Sequence, residues 1–218
     1  MSNKPVLYGY SPSSYVFSVR ILLAGKSVAY DQVPLDVIAG EPRSAEHRRL
    51  HPFGKVPVLV HDGLRMLETS AIMRYINDAF GGASFIPDNP RDRARMDMAM
   101  GLHESYGYAA MARVVGYHRF PKFAGHPSRE DVEGELERLH TLFAELMRLR
   151  GDSPYIAGDL PSLADFFVAP ACFYLEEVGE TGRFLDLPGF AEWWARVNAL
   201  PEYQTVLPDL SQWGEQAG

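Results

Sequence analysis

The stretch from Gly54 to Ile72 constrains the fold of this chain more than any other. It reads GKVPVLVHDGLRMLETSAI, in which Asp62-Gly63 separates two short apolar runs and supplies the positive φ angles of a tight hairpin. After Leu67 the apolar residues recur with the 3.6-residue period of a helix. The sequence therefore predicts an antiparallel strand pair that leads directly into a helix.

The beginning of that helix carries three polar side chains, Glu68, Thr69 and Ser70. The first N–H groups of a helix have no partner within it and carry partial positive charge, so a helix start can hold an anion. Pro57 stands at the first residue of the preceding strand, where its missing N–H leaves a backbone edge open for another partner. The stretch thus offers an anion-binding helix start beside an open backbone edge.

Upstream of this stretch, strands and helices alternate. Val6 to Tyr10 is β-prone, SPSS at residues 11–14 predicts a turn, and the apolar spacing from Val16 to Leu23 predicts a helix. Val28 to Leu35 alternates as a second strand, and a strand–helix–strand crossover favours a parallel pair. A short irregular helix is expected before Pro52. The predicted order of the first 80 residues is β-α-β-α-β-β-α.

The rest of the chain has an almost entirely helical pattern. Ser162 and Asp165 stand three residues apart before an apolar run, which predicts an N-terminal capping box. Two glycines and a proline-rich segment separate the two patterns. We therefore expect a small α/β domain over residues 1–81, a linker over 82–90 and an all-helical domain over 91–218.

The net charge, the cysteine count and the N-terminal sequence argue against several classes of function and location. A net charge of −7 argues against general binding to nucleic acid or to an anionic membrane. The single cysteine, Cys172, excludes an internal disulfide and fits a reducing compartment. The N-terminus lacks the apolar core of a signal peptide, so cytoplasmic residence is expected. The longest apolar run, from Leu163 to Leu175, predicts a buried helix rather than a membrane span.

Several segments are similar, in order along the chain, to motifs of one enzyme family. HPFGKVP at residues 51–57 corresponds to the family's Asn-Pro-x-Gly-Lys-Val-Pro, and ETSAI at residues 68–72 to its Glu-Ser-x-Ala-Ile. SPSS before Val-Arg-Ile matches its first loop and helix, SLAD at 162–165 its helical cap, and WAR at 194–196 its late helix. The chain therefore resembles the cytosolic glutathione S-transferases, of the serine-type and bacterial-like kind, over nearly its whole length.

This resemblance implies both a fold and an activity. The fold class is α/β plus all-α, with an N-terminal thioredoxin-like domain (βαβ-α-ββα) and a C-terminal helical-bundle domain. The activity is that of a transferase which uses glutathione as co-substrate and directs its thiol at a small hydrophobic electrophile, as in detoxification. A cytoplasmic homodimer is expected, with no metal, nucleic-acid partner or membrane partner.

The resemblance also implies how glutathione is held. In the family the bond between the residues matching Val56 and Pro57 is cis, and the Val56 backbone pairs with the cysteinyl part of glutathione. Thr69 would donate to the γ-glutamyl carboxylate and Glu68 would pair with the ammonium, so the residue types suit the two charges. The carboxylate of the glycine residue of glutathione would bind two cationic side chains. The implied glutathione-binding residues are Arg43, Lys55, Val56, Pro57, Glu68 and Thr69.

Catalysis in this family requires a thiolate, because the thiol itself is a poor nucleophile. A free thiol has a pKa of about 8.5, and a hydroxyl that donates to the sulfur at a helix N-terminus lowers it. In serine-type classes this hydroxyl lies six residues before the first Val of the Val-x-Ile-Leu run, which points to Ser13. Ser14, Ser11 and the strand tyrosines Tyr8 and Tyr10 remain as alternatives.

Two other groups of residues are candidates for chemistry. His47 and His51 have the spacing of a metal pair on a helix, but no third ligand stands near them in sequence, so no metal is expected. Tyr106, Arg113 and Tyr117 fall on the helix that lines the electrophile site in the family. The resemblance makes these three the predicted substrate contacts.

Two alternative functions remain open. A glutathione-dependent isomerase, dehalogenase or etherase would use the same fold, but Tyr15 stands where the isomerase Ser-Ser-Cys motif has its cysteine. A non-catalytic glutathione-transferase-like interaction protein is the other alternative. Retention of Lys55, Pro57, Glu68 and Thr69 argues against it, because a pure interaction module needs no tripeptide site.

Overall fold

The computed structural model describes residues 4–37, 39–122 and 124–211. Within these ranges the chain forms two compact units. The first contains the residues up to Ser84 together with Pro201–Asp209, and the second contains Phe85–Leu200 with residues 210 and 211. The apolar spacing of the sequence did not indicate that a late segment belongs with the first unit.

A four-stranded sheet in the order β2-β1-β3-β4 forms the centre of the first unit. Strand β1 is parallel to β2 and antiparallel to β3, and β3 is antiparallel to β4. The predicted thioredoxin-like arrangement is confirmed. Strand β2 is shorter than predicted because, among the described residues, it lies at the sheet edge and pairs with β1 over Asp31 to Val33. The strands are β1 (Val6–Tyr8), β2 (Asp31–Val33), β3 (Val58–His61) and β4 (Leu64–Met66).

The predicted hairpin joins β3 and β4. Asp62 and Gly63 both have positive φ, 47° and 78°, as a two-residue turn of type I′ requires. The turn sets the register in which His61 pairs with Leu64. Strand β3 is central and largely buried, whereas β4 lies at the sheet edge and is more exposed.

In its described part, the first unit contains four α-helices. Helix α1 contributes more buried apolar side chains than any other element of this unit. The ring of Phe17 lies 5.4 Å from that of Tyr203, which places the short last helix against α1. Lys26, just after α1, is buried and donates from Nζ to the carbonyls of Asn77 (3.0 Å) and Ala83 (2.9 Å). The four are α1 (Ser14–Gly25), α2 (Ala45–Leu50), α3 (Thr69–Ala79) and α9 (Pro201–Gln204).

The second unit is helical, as predicted. A π-helical turn, His103–Gly107, joins α4 and α5 into one continuous segment. None of the helices in the described ranges is long and apolar enough to cross a membrane. The helices are α4 (Pro90–Leu102), α5 (Tyr108–Arg119), α6 (Arg129–Arg150), α7 (Leu163–Glu177) and α8 (Phe190–Asn198).

The predicted capping box at the beginning of α7 is present. Fully buried Asp165 accepts from the N–H (2.9 Å) and hydroxyl (2.8 Å) of Ser162. It also accepts from the Ile156 N–H (3.0 Å) and from Nε1 of Trp193 (2.8 Å). Burial raises the pKa of Asp165, while these four donors oppose the rise. The carboxylate thus ties α7 to the preceding loop and to α8.

The π-helical turn contains a buried histidine that the sequence pattern did not single out. His103 is 1% exposed, its ring lies edge-on to Phe167 at 5.7 Å, and its Nδ1 has no hydrogen-bond partner. A Cβ on Gly107 would lie 2.6 Å from that Nδ1, so only glycine permits this approach. Burial lowers the pKa of His103 from 6.5 to about 4.

His103 makes the stability of the fold depend on pH. The unfolded chain binds a proton at His103 below pH 6.5, whereas the folded chain binds it only near pH 4. The neutral His103 ring therefore costs the folded state nothing above pH 6.5. As the pH falls from 6.5 to 4, the unfolded state gains a proton first, and the free energy of unfolding falls by up to about 3 kcal/mol. Urea unfolding of His103→Asn should show a smaller loss over this range.

The matched control for this prediction is His126→Asn, which changes an exposed histidine in the same unit. Its pH dependence should follow that of the parent. Equal pH slopes for the parent and His103→Asn would contradict the prediction, whatever the absolute stability of the variant.

Candidate functional site

Three segments that carry predicted site residues converge at one end of the sheet. Tyr8, the last residue of β1, pairs with Val58, the first residue of β3. Leu59 of β3 pairs with Met66, the last residue of β4. The serine loop after β1, the loop before β3 and the chain after β4 therefore lie side by side. Strand register alone brings these distant parts of the sequence together.

Ser13 is the N-cap residue of α1. Its N–H donates to the Tyr10 carbonyl (2.8 Å), and its own carbonyl accepts from the N–H of Phe17 (2.8 Å). Its hydroxyl makes no capping hydrogen bond, although serine at this position usually does. A half-buried hydroxyl thus stands at the positive end of a helix without serving as its cap.

The alternative hydroxyls of this loop have other surroundings. The Ser11 hydroxyl accepts from Nε2 of Gln32 (2.9 Å). Ser14 is buried as the first residue of α1, and its carbonyl accepts from the Ser18 hydroxyl (3.2 Å). Tyr8, the last residue of β1, and Tyr10, two residues beyond it, are both half-buried. Ser13 stays the prediction for the hydroxyl that contacts the thiol.

The backbone before β3 has the geometry that the resemblance implies. The Val56–Pro57 bond is cis. Val56 lies outside the ladder that begins at Val58 and forms no backbone hydrogen bond within the described ranges. Its N–H and carbonyl are thus available to an extended ligand, as predicted for the cysteinyl part of a tripeptide.

Glu68 is the N-cap residue of α3 and has an unusual backbone conformation. Its φ is 64° and its ψ is 119°, a region that non-glycine residues avoid. Such a conformation costs on the order of 1–3 kcal/mol and persists where the surroundings enforce it. The Glu68 side chain is exposed and does not cap the helix, whereas Thr69 is buried. The carboxylate is therefore accessible to a cationic ligand group.

The two predicted cations lie on adjacent segments. Gly54 has a φ of 61°, and a Cβ there would lie 2.8 Å from the Pro42 carbonyl and 3.4 Å from the Cα of Arg43. The loop before β3 is thus packed closely against the 3-10 turn Glu41–Arg43. Lys55 and Arg43, both exposed, extend from these two segments.

Two buried histidines, one within α2 and one at its C-terminal end, contact the loop before β3. His47 and His51 have rings stacked 6.4 Å apart, and Nε2 of His47 is 2.7 Å from the Lys55 carbonyl. Their four-residue spacing suits a metal pair, but the described ranges contain no group of three or more histidine, cysteine, aspartate or glutamate residues that could hold a metal ion.

The predicted substrate residues lie in the second unit. Tyr106 belongs to the π-helical turn and Arg113 to α5, and both are exposed. Tyr117 is half-buried with its ring edge-on to His118 at 5.0 Å. Among the described residues no hydrogen bond or ring contact joins these three, and their role stays a prediction. Cys172 is buried, and burial raises the pKa of its thiol well above its ordinary value.

Comparison with known proteins identifies two matching family profiles. The profile described as "Glutathione S-transferase, N-terminal domain" matches residues 5–78. The profile described as "Glutathione S-transferase, C-terminal domain" matches residues 129–196. Together they include the segments that converge at the sheet end and the capping box of α7.

Individual relatives match over most of their length. Glutathione S-transferase hmp2 of Hypomyces subiculosus is 30% identical over 198 residues, 88% of this chain and 92% of the relative. Maleylacetoacetate isomerase of Rhizobium meliloti is 31% identical over 178 residues, 79% of this chain and 82% of the relative. The crystal structure of glutathione transferase F7 from Populus trichocarpa superposes with a TM-score of 0.83 at 25% identity, covering 93% and 97% of the two chains.

The backbone conformation of Glu68 yields a prediction about stability. Glu68→Gly should raise the free energy of unfolding by about 1 kcal/mol relative to Glu68→Ala, because glycine adopts positive φ with less strain than alanine. Both variants lose the same carboxylate, so the difference isolates the backbone. Chemical denaturation at neutral pH measures it. A glycine variant no more stable than the alanine variant would show that this conformation is not strained.

Proposed function

The chain belongs to the glutathione S-transferase family, and from that premise we propose that it ionises the thiol of glutathione beside Ser13 for attack on an apolar electrophile. The observation that carries this proposal is the Ser13 hydroxyl, which stands at the N-terminus of α1 and makes no capping hydrogen bond. It is therefore available to donate to a ligand.

The chemistry follows from the charge that develops on sulfur. With a pKa of about 8.5, only a few per cent of a free thiol is ionised at pH 7. Hydrogen-bond donation from Ser13 and the positive end of α1 both stabilise the thiolate, and each pKa unit they remove corresponds to about 1.4 kcal/mol. The thiol proton passes to solvent. The thiolate then attacks the electrophilic carbon, and a leaving group such as halide departs with its electron pair.

The proposed binding of glutathione uses three parts of the sheet end. The Val56 backbone pairs with the cysteinyl residue, while Glu68 binds the ammonium and Thr69 the carboxylate of the γ-glutamyl end. Lys55 and Arg43 bind the glycine carboxylate. Each charged group of the tripeptide meets a residue of opposite charge or a hydrogen-bond donor.

Three variants test this assignment. Ser13→Ala should lower kcat for conjugation of 1-chloro-2,4-dinitrobenzene by on the order of 100-fold, because one donor to the developing anion is lost. The pKa of bound glutathione, followed by thiolate absorbance, should rise toward about 8.5. Glu68→Ala should mainly weaken binding to immobilised glutathione. Ser11→Ala is the comparison at an alternative hydroxyl, which accepts from Nε2 of Gln32, and it should leave kcat near that of the parent.

Other results would redirect the assignment. No binding at millimolar glutathione would favour a non-catalytic interaction protein. Binding with an unchanged thiol pKa in Ser13→Ala would move the catalytic role to Ser14, Ser11, Tyr8 or Tyr10. Turnover of an isomerisation substrate in place of the aryl halide would favour the glutathione-dependent isomerase, although Tyr15 replaces the cysteine of its motif.

We also propose that the protein is a cytoplasmic homodimer that detoxifies electrophiles. Phe53, in the loop before β3, is 77% exposed, and an apolar ring of this size is a candidate for subunit contact. Phe53→Ser should shift sedimentation toward the monomer. Leu160→Ser is a matched control, because Leu160 is 75% exposed but lies in the second unit. A parent that sediments as a monomer would contradict the proposal.

A further inference from the structure

Gln32, in the middle of β2, holds the loop between β1 and α1 through a side-chain nitrogen. Its Nε2 donates to the Gly9 carbonyl (3.1 Å) and to the Ser11 hydroxyl (2.9 Å). An amide NH2 group carries two hydrogens, so one nitrogen can make both bonds. Gln32 is itself fixed by strand pairing, because it lies opposite Leu7 in the parallel register of β2 with β1. The side chain therefore ties the loop to the sheet.

Gly9 is also held from two other directions. Its N–H donates to the Val33 carbonyl (3.0 Å), which continues the contact with β2 one residue past the end of β1. A Cβ at Gly9 would lie 2.5 Å from Cγ2 of Val16, so the backbone here runs directly against a fully buried side chain of α1. The loop thus begins at a point that the sheet, α1 and the Gln32 amide fix together.

The turn that follows carries this constraint to Ser13. The Ser13 N–H donates to the Tyr10 carbonyl (2.8 Å), which closes a turn with Ser11 and Pro12 at its centre. Ser11, the first of these central residues, is the second acceptor of Gln32. Because the Ser13 hydroxyl makes no capping hydrogen bond, this turn and the beginning of α1 set the position from which it can donate.

We propose that Gln32 is a positioning residue for the Ser13 hydroxyl, an inference that rests on the proposed function. Gln32 holds the N-terminal side of the turn through Gly9 and Ser11, and α1 holds the C-terminal side. Without the amide donor the Ser13 hydroxyl remains, but the loop that aims it at the sulfur is released from β2. Geometry decides how much such a donor contributes, because a hydrogen bond weakens steeply as it lengthens or bends. In Ser11→Ala the Gly9 bond persists, so that variant keeps the loop tied to the sheet.

Gln32→Met tests this role, because methionine is unbranched and flexible but has no N–H donor. The kcat for 1-chloro-2,4-dinitrobenzene should fall by about 10-fold, less than in Ser13→Ala, since the hydroxyl remains but is held less firmly. The pKa of bound glutathione, followed by thiolate absorbance, should rise in the same direction as in Ser13→Ala. Binding of S-methylglutathione, whose sulfur cannot ionise, should stay within about twofold of the parent because the proposed binding residues are unchanged.

A double-mutant cycle separates positioning from general destabilisation. If Gln32 acts through the Ser13 hydroxyl, Gln32→Met in a Ser13→Ala background should change kcat by less than about twofold. A merely structural effect would lower kcat by the same factor in both backgrounds. Gln32→Leu also lacks the donor and serves if the methionine variant does not fold. Gln204→Met, the same replacement at an exposed position of the same unit, is the matched control and should behave as the parent.

The outcomes distinguish this inference from the proposed function. The role of Gln32 would be overturned, with the proposed function intact, by an unchanged kcat in Gln32→Met or by an equal loss of kcat with and without the Ser13 hydroxyl. A loss of S-methylglutathione binding that matches the loss of kcat would overturn it in the same way. No binding of glutathione by the parent, or an unchanged thiol pKa in Ser13→Ala, would overturn the proposed role of Ser13 and this inference with it. A loss of kcat confined to chains that carry Ser13, with binding retained, would establish the positioning role.

Discussion

The register of the sheet is the constraint on which the candidate site depends. Pairing of Tyr8 with Val58 and of Leu59 with Met66 aligns the end of β1, the beginning of β3 and the end of β4. A shift by one residue would move the apolar side chains of β3 to the opposite face, so burial of Val58 and Leu59 protects the register. The core and the site are therefore specified by the same backbone pairs.

Much of this arrangement was predictable because its signals are local. Asp62-Gly63 specifies a two-residue turn with positive φ, and Ser162 with Asp165 specifies a capping box, since both depend on residues close in sequence. The length of β2 was not predictable from its own alternation, because a strand ends where its neighbour stops pairing. The late segment at Pro201–Asp209 is too short to show a helical period, and its place in the first unit depends on contacts such as Phe17 with Tyr203.

The sequence predicts residue types for the candidate site, but it does not predict the burial of the residues around them. The motif resemblance supplied Ser13, Lys55 and Glu68 as predictions, whereas nothing in the pattern indicated that His51 is buried with an Nδ1 that has no hydrogen-bond partner. That property results from stacking on His47 and from the fold of the loop, which are tertiary features. The π-helical turn at His103 was missed for a similar reason, because a single extra residue in a helix leaves no mark on the apolar spacing over one turn.

The φ angle of 64° at Glu68 has a consequence for how relatives of this chain diverge. If Glu68 binds glutathione as proposed, the backbone at this position favours glycine while the ligand favours a carboxylate, and selection for binding holds the glutamate in place. If a descendant no longer needed its tripeptide, mutation would drift toward glycine there, because that change would add stability at no functional cost. Glycine at the corresponding position of a divergent copy would thus record the loss of glutathione binding, even where the rest of the fold had been kept for another purpose.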